Sequence, residues 1–132
     1  MFGAIDTSTS GLVAQRVRSN TCAMNIAMAD AVESADGGPF QRRAVILSEG
    51  TGPGDRSGAG VHVSSIMKEP VYRYEYDPSH PYASEEGYVK MPGIDPLVEM
   101  VNMMEASRAY EANVAAIDVS KSMLNSALRL LA

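Results

Sequence analysis

Residues 100–131 read MVNMMEASRAYEANVAAIDVSKSMLNSALRLL, and the spacing of their apolar side chains decides the fold. Apolar residues recur three and then four positions apart, which places them along one side of an α-helix as a seam for a second helix. Asp95 and Pro96 supply an N-cap and a first-turn proline, and neither glycine nor proline interrupts the stretch that follows. The predicted seam consists of Met100, Met103, Ser107, Tyr110, Val114, Ile117, Lys121, Leu124, Leu128 and Leu131.

The length of this helix indicates how the chain assembles. From Pro96 to the last residue it would extend roughly 54 Å, at about 1.5 Å per residue. A compact chain of 132 residues has a radius of gyration of about 14 Å, which corresponds to a sphere about 36 Å across. The helix is longer than such a globule, so we expect other chains to cover part of its seam.

A second long helix is predicted near the N-terminus, over about residues 5–35. Several alanines in this segment favour a helix with close packing, and the glycines and proline at positions 37–39 end it. Its heptad repeat is formed by Ile5, Leu12, Ser19 and Ile26.

The segment between the helices carries the signals of β-structure. Short strands are predicted at residues 44–47, 61–63 and 71–76, and a small antiparallel sheet accounts for them. The three tyrosines of the last strand alternate with charged residues, which favours one packed face of tyrosines, with a surface contact as the alternative. A glycine-rich loop occupies residues 50–60, and the two prolines in residues 77–81 favour an ordered turn.

Together these elements predict an α+β fold, in which long N- and C-terminal helices pack as a coiled coil with a small antiparallel β-lobe between them. The expected divisions are an N-terminal core helix at 1–36, the β-rich lobe at 37–93 and a C-terminal core helix at 94–132.

Composition excludes several classes of function. A formal charge of -5 without Lys/Arg clusters argues against nucleic-acid binding, and no stretch is apolar enough to span a membrane. No cleaved signal peptide is visible, and the single cysteine, Cys22, excludes an internal disulfide. The sequence predicts no catalytic residues, no cofactor and no metal site. A metal-dependent hydrolase would need His80 and its acidic neighbours, but His80 is better explained as a hydrogen-bonded turn residue.

Two charged residues of the C-terminal helix suggest contacts between chains. Arg108 is close enough along a helix to pair with Glu105 or Glu111, but an exposed pair would contribute only about 0.2 to 0.5 kcal/mol. We therefore expect Arg108 and Glu111 to pair with neighbouring subunits, through Arg16 or Arg18.

Several short sequence motifs occur one after another along the chain. They are Ser10-Gly11-Leu12, Ala14-Gln15-Arg16 and Asn25-Ile26-Ala27, then Arg42-Arg43, Gly60-Val61 with Val63, Asp77-Pro78-Ser79-His80-Pro81 and Gly87-Tyr88-Val89 with Pro92, and finally Glu99-Met100, Ser107-Arg108-Ala109-Tyr110-Glu111-Ala112-Asn113-Val114 and Lys121-Ser122-Met123. In this order they resemble the axial proteins of the bacterial flagellum. The short chain and the Asp-Pro-x-His-Pro turn favour the rod protein C family of the proximal rod. Met28 and Asp30 depart from the family pattern, which has asparagines nearby.

The resemblance implies a structural subunit of the flagellar basal body. Such subunits leave the cell unfolded through the flagellar type III export apparatus, without a cleaved signal peptide, and assemble into a helical tube that crosses the periplasm and transmits motor torque. The implied partners are copies of the chain, other rod subunits and the export apparatus, with no nucleic acid and no direct membrane span. The expected subunit interface consists of Ile5, Leu12, Arg16, Ile26, Met100, Met103, Ser107, Arg108, Tyr110, Glu111, Val114, Ile117, Leu124, Leu128 and Leu131.

The alternative is a cytoplasmic coiled-coil adaptor that forms a small closed oligomer. Such an adaptor would explain the two long helices but not the ordered series of sequence motifs.

Overall fold

The computed structural model describes residues 2–35, 37–50, 52 and 59–131, and confirms the α+β fold. Two long helices enclose four strands in chain order. The elements are α1 (Phe2–Ala27), β1 (Arg42–Glu49), β2 (Val61–Glu69), β3 (Tyr72–Tyr76), β4 (Tyr88–Pro92) and α2 (Pro96–Leu131).

Helix α2 begins where the sequence predicts. The carboxylate of Asp95 accepts a hydrogen bond from the backbone amide of Leu97 at 2.9 Å, and the amide of Glu99 donates to the carbonyl of Asp95 at 3.1 Å. Pro96 occupies the first turn, where its missing N–H costs nothing. The helix then continues for 36 residues without interruption.

Helix α1 ends at Ala27, so the predicted continuation to residue 35 is wrong. The chain turns after Met28, where the amide of Ala31 donates to the Met28 carbonyl at 3.1 Å. Ala29 then becomes part of a small buried cluster with Phe40 and Ile94. The alanines after residue 27 therefore serve close packing in a turn rather than a helix.

The two helices pack antiparallel along their length. Gly11 lies against Asn113, Arg18 pairs with Glu105, and Asn25 donates to Glu99. These contacts confirm a packed helix pair, whereas the supercoil of a coiled coil stays a prediction.

The strands form two separate two-stranded antiparallel sheets rather than one sheet. β1 pairs with β2 and β3 pairs with β4, a strand that the sequence prediction missed. Pro70 lies between β2 and β3, and its lack of an N–H favours a break in strand pairing.

The β1–β2 hairpin lies along α1. The side chain of Asn25 binds the backbone of Arg43 at one end, and Ser10 Oγ accepts a hydrogen bond from the amide of Val61 at 3.0 Å at the other.

The predicted turn after β3 is confirmed. Both the amide and the hydroxyl of Ser79 donate to the Asp77 carboxylate, at 3.1 and 2.6 Å, and they lower the pKa of that carboxyl. His80 Nδ1 accepts a hydrogen bond from the amide of Tyr82 at 3.2 Å, as expected for a turn residue. Most of the glycine-rich loop predicted at 50–60 lies outside the described residues.

Candidate assembly surfaces

The accessible surface of the subunit is larger than expected for its mass. It measures 8750 Å², whereas a compact monomer of 14.1 kDa exposes about 6,700 Å². Large apolar side chains are exposed along both helices and the β-lobe. Apolar surface of this extent is typical of faces that contact other molecules. The buried apolar residues in the described part of the chain are Ala14, Cys22, Ala29, Phe40, Val89, Ile94 and Ala106.

The buried line of α1 consists of small and polar residues. It passes through Gly11, Ala14, Cys22 and Asn25 at helical spacing. A Cβ placed on Gly11 would lie 2.8 Å from Asn113 Nδ2, so the helices approach closely here. Close approach of two helices requires small side chains at the contact.

The predicted heptad of α1 lies beside this line. All four of its members are only half-buried, so the repeat identified the helix but not its most buried side. They are Ile5, Leu12, Ser19 and Ile26.

The predicted seam of α2 is divided between two sides of the helix. Three members are half-buried on the side of Glu99 and Ala106: Met103, Ile117 and Leu124. The exposed members are Met100, Ser107, Tyr110, Val114, Lys121 and Leu128, and the side chain of Leu131 lies outside those described. The three half-buried members belong to the heptad row that contains Met103, whereas the row from Met100 to Leu128 is exposed because it lies about 50° further around the helix, at about 100° per residue.

A second apolar stripe, which the sequence analysis missed, lies on the side of α2 opposite Glu99 and Ala106. Each of its members is more than half exposed. We call it the outer stripe, and it consists of Leu97, Val101, Met104, Val119 and Leu130. The 4,3 spacing of its first three members was visible in the sequence, but Arg108 and a run of alanines interrupt the pattern. Helix α2 thus packs against α1 with one side, and its opposite side is an exposed apolar surface.

The structure brings several predicted interface residues together in one groove between the helices. This interhelical groove has a volume of about 290 Å³. The oxygen of the Gln15 side-chain amide is buried there and has no hydrogen-bond partner among the described residues. An unpaired buried acceptor marks a place where a donor from a neighbouring molecule would bind favourably. The predicted residues that line the groove are Arg16, Ser107, Tyr110 and Glu111.

The charged residues of the helices divide into paired and unpaired groups. Arg18 Nη2 lies 3.0 Å from Glu105 Oε2, so Arg18 already has a partner within the chain. Arg108 makes no ion pair with any residue the structure describes, and neither does Glu111. The hypothesis that Arg108 and Glu111 pair across a subunit boundary therefore stays a prediction, with Arg16 rather than Arg18 as the cation left for Glu111.

A buried polar cluster fixes the β-lobe to the helix pair. Glu99 is only 1% exposed, and its carboxylate accepts hydrogen bonds from Asn25 Nδ2 and Arg42 Nε, both at 2.9 Å. Arg42 also donates to Glu69 at 2.7 Å, and Asn25 exchanges two hydrogen bonds with the backbone of Arg43. This anchor cluster joins α1, α2, β1 and β2. Asn25, Arg42 and Glu99 fall within the short sequence motifs quoted above, where no role was predicted for them.

The anchor cluster also changes the chemistry of its members. Burial alone would lower the pKa of Arg42, but its hydrogen bonds to Glu69 and Glu99 outweigh burial and raise that pKa. Cys22 is buried beside Glu99, and burial, followed by the charge of Glu99, raises the pKa of its thiol. A thiol with a raised pKa is a poor nucleophile at neutral pH.

Most tyrosines of the β-lobe are exposed rather than buried in one packed face. Tyr74 and Tyr76 are 67% and 65% exposed, so the prediction of one packed tyrosine face is wrong. On the opposite face of the sheet Val89 is buried. The alternative prediction, that these tyrosines form a surface for contact with another molecule, stays a prediction.

Within the described residues, no group of histidine, cysteine, aspartate and glutamate side chains is arranged to hold a metal ion. Neither described helix combines the length and the hydropathy needed to cross a bilayer.

Residues 85–130 match the family described as flagellar basal body rod FlgEFG protein, C-terminal. The matched segment contains β4 and almost all of α2, including the outer stripe and three of the four predicted groove residues.

Longer similarities cover both helices and the lobe. The flagellar basal-body rod protein FlgC of Aquifex aeolicus is 42% identical over 123 residues, which make up 93% of this chain and 91% of the relative. FlgC of Salmonella typhimurium is 39% identical over 131 residues, covering 98% of this chain and 97% of the relative. FlgC of Bacillus subtilis is 36% identical over 146 aligned residues, covering 98% of this chain and 97% of the relative. These similarities confirm the resemblance to flagellar rod proteins that the sequence motifs indicated. They give no support to the alternative of a coiled-coil adaptor.

Proposed function

Since the chain belongs to the FlgC family of flagellar basal-body rod proteins, and is thus a structural subunit of that rod, we propose that its terminal helices build the wall of a helical tube in the proximal rod. The observation that carries this proposal is the surface of 8750 Å² on a chain of 14.1 kDa. About 2,000 Å² of it exceeds what a compact monomer exposes, an area in the range of a stable protein–protein interface.

The proposed wall contacts use two surfaces of the helix pair. The C-terminal part of the outer stripe, which contains Val119 and Leu130, packs against helices of neighbouring subunits, and the interhelical groove receives side chains from another neighbour. The half-buried and exposed members of the predicted interface flank these two surfaces. An interlocked wall of this kind resists torsion, because sliding one helix past another would break many apolar contacts at once. We infer that it transmits the torque of the motor in this way.

The three divisions of the chain have separate tasks in this proposal. Residues 1–36 and 94–132 form the wall, and residues 37–93 form a lobe on its outside. The anchor cluster supports the division, since it joins the lobe to both helices.

We further infer that the subunit works in the periplasm and reaches it unfolded, through the flagellar type III export apparatus. The small number of large buried side chains supports this route, because little apolar contact has to be broken to unfold the chain. The relatives are named for a rod, which supports a structural and not an enzymatic role.

The proposal is tested by charging the outer stripe in the bacterium that encodes this chain. An epitope-tagged Val119→Glu variant replaces the native protein, and basal bodies are purified and probed for the tag. Val119 is 60% exposed, so the folded subunit tolerates the change, but a glutamate in an apolar interface loses its hydration. We expect the variant to be made at normal levels and to be absent from basal bodies.

Asn125→Glu is the matched control, because Asn125 is exposed on a different side of the same helix. We expect this variant to enter basal bodies normally. Normal incorporation of both variants would rule out the outer stripe as part of the wall.

A further inference from the structure

The β3–β4 sheet carries most of the aromatic surface of the subunit. Five of the six tyrosines lie at positions 72, 74, 76, 82 and 88. The register of the sheet places Tyr74 beside Lys90 and Tyr76 beside Tyr88 on its exposed face. The rings of Tyr76 and Tyr88 pack edge to face with their centroids 5.3 Å apart, so this face is ordered.

Part of this face forms an open groove of about 570 Å³. We call it the tyrosine groove, and it is lined by Tyr74, Tyr82, Ser84, Glu86, Tyr88 and Lys90. The Lys90 ammonium lies 4.0 Å from the ring centroid of Tyr72, and the Tyr82 hydroxyl donates to Glu33. Glu86 is exposed and makes no ion pair or hydrogen bond with any described residue. The groove thus combines aromatic faces with one carboxylate that lacks a cation.

The opposite combination occurs on the N-terminal half of the outer stripe. Met104 is 53% exposed there, and Arg108 follows one turn later. Arg108 has no carboxylate partner among the described side chains, because the nearby Glu105 forms its ion pair with Arg18. Thioethers and guanidinium groups both bind favourably to aromatic rings, and a guanidinium also pairs with a carboxylate.

We propose that the tyrosine groove of one subunit binds the outer stripe of a second copy around Met104 and Arg108, with Arg108 paired to Glu86. This contact deepens the proposed function and rests on it, since it requires subunits to be neighbours in the rod. The occupant is a second copy because the same chain carries both halves of the complement: aromatic rings beside the unpaired Glu86 carboxylate in the groove, and apolar side chains beside the unpaired Arg108 guanidinium on the stripe.

The symmetry of such a contact fits a rod. The groove and the stripe are different surfaces, so each copy uses its groove on one neighbour and leaves its stripe for another. A contact between two unlike surfaces extends into an open helical array unless its rotation closes a ring, whereas a contact between two identical surfaces stops at a dimer.

The first experiment places a photocrosslinker in the groove. In the bacterium that encodes this chain, Tyr88→p-benzoylphenylalanine in the full-length protein is irradiated in living cells, and adducts in purified basal bodies are mapped by mass spectrometry. We expect adducts between two copies, joining position 88 to residues 97–108 of α2. Adducts to the lobe of a second copy, to another rod protein, or to nothing would overturn the proposal.

The second experiment exchanges the charges. Glu86→Arg and Arg108→Glu are each expected to reduce incorporation into basal bodies about tenfold, as loss of one charge-assisted hydrogen bond would. The double variant should recover most of it. Glu85→Arg is the matched control, because Glu85 is exposed beside Glu86 but does not line the groove. Equal loss in Glu85→Arg, or no recovery in the double variant, would contradict the Arg108–Glu86 pair.

The two proposals fail differently. If the wild-type chain is found in basal bodies while the crosslinks and the charge exchange give the negative result, the rod subunit stands and this contact is wrong. If the wild-type chain is absent from basal bodies, the proposed function fails as well.

Discussion

Glu99 is the residue on which the internal order of the subunit depends most. Its carboxylate is buried and accepts hydrogen bonds from α1 and from β1, so it joins elements that are far apart in the sequence. A buried charge of this kind is stable only while its partners remain.

Replacing Glu99 by alanine removes a buried acceptor that the Arg42 guanidinium and the Asn25 amide share, and leaves them with only Glu69 and the Arg43 carbonyl, respectively. We expect Glu99→Ala to lower the free energy of unfolding by about 3 kcal/mol, measured by urea denaturation. Glu105→Ala is the matched control, because Glu105 also pairs with an arginine but its side chain is 65% exposed. Its loss should cost about 1 kcal/mol or less. Equal effects would mean that the anchor cluster adds nothing to stability.

The buried thiol of Cys22 gives a second prediction at this scale. Because burial and Glu99 raise its pKa above the ordinary value of 9.0, the folded chain should react with iodoacetamide at pH about 8 much more slowly than the urea-unfolded chain. The folded chain binds the proton of the Cys22 thiol more tightly than the unfolded chain does. The contribution of this thiol to the free energy of unfolding is therefore complete below the pKa that it has in the unfolded chain. The contribution is lost as the pH rises through the pKa that it has in the folded chain. Equal rates in the folded and unfolded chains would contradict the assignment.

Sequence reasoning succeeded for single residues whose contacts are local. The cap at Asp95 and the turn at His80 follow from neighbours a few positions away, and both were predicted. The anchor cluster was not predicted, because Asn25, Arg42 and Glu99 meet only after the chain has folded. Their positions on the helices did not reveal their partners.

At the scale of elements, the contact between Gly11 and Asn113 sets the distance between the helices. Glycine weakens an α-helix by about 1 kcal/mol relative to alanine, so its presence in α1 needs a reason. The Asn113 side chain, whose amide donates to the Ala109 carbonyl at 2.9 Å, occupies the space that a Cβ would need.

A double-mutant cycle tests this contact. In the Asn113→Ala background, Gly11→Ala should raise the free energy of unfolding by about 1 kcal/mol, because only the helix propensity changes. In the parent chain the new methyl group meets Asn113, so the same change should give no gain or a loss. Chemical denaturation of the four proteins measures the difference. An equal gain in both backgrounds would show that the helices are farther apart at this point.

The elements themselves were largely predictable from periodicity. Both helices and three of the four strands were expected where they occur, whereas the end of α1, the strand β4 and the division into two sheets were not. The end of α1 was misplaced because alanines after residue 27 satisfy helix propensity, whereas burial of Ala29 against Phe40 and Ile94 decides the local structure. The outer stripe was missed because one helix carries two apolar sides and only one was sought.

At the scale of the whole molecule, burial is confined to one part of the helix pair. No described residue of α2 beyond Ala106 is buried, and none of α1 before Gly11. The fold is therefore held together between the anchor cluster and the Gly11–Asn113 contact, and the turns of α1 before Ser10 and of α2 beyond Asn113 have little tertiary support within one chain.

Amide hydrogen exchange should reveal this difference. In the purified, unassembled chain we expect the strongest protection within residues 40–92 and rapid exchange in the first turns of α1 and in α2 beyond residue 113. The same segments should become protected in isolated rods, because neighbours then cover them. Strong protection of the whole of α2 in a chain shown to be monomeric would contradict a helix end that depends on assembly.

The position of the lobe gives the subunit a head and a tail. The anchor cluster occupies the Asn25–Glu99 end of the helix pair, and the β1–β2 hairpin extends from there along α1 as far as Ser10, whereas the first turns of α1 and the end of α2 extend beyond the lobe as helix alone. When such subunits repeat in one orientation, the resulting rod is polar, and its two tips expose different chemistry. The two tips can then add subunits at different rates, and a protein that must bind one tip can distinguish it from the other without any additional mark.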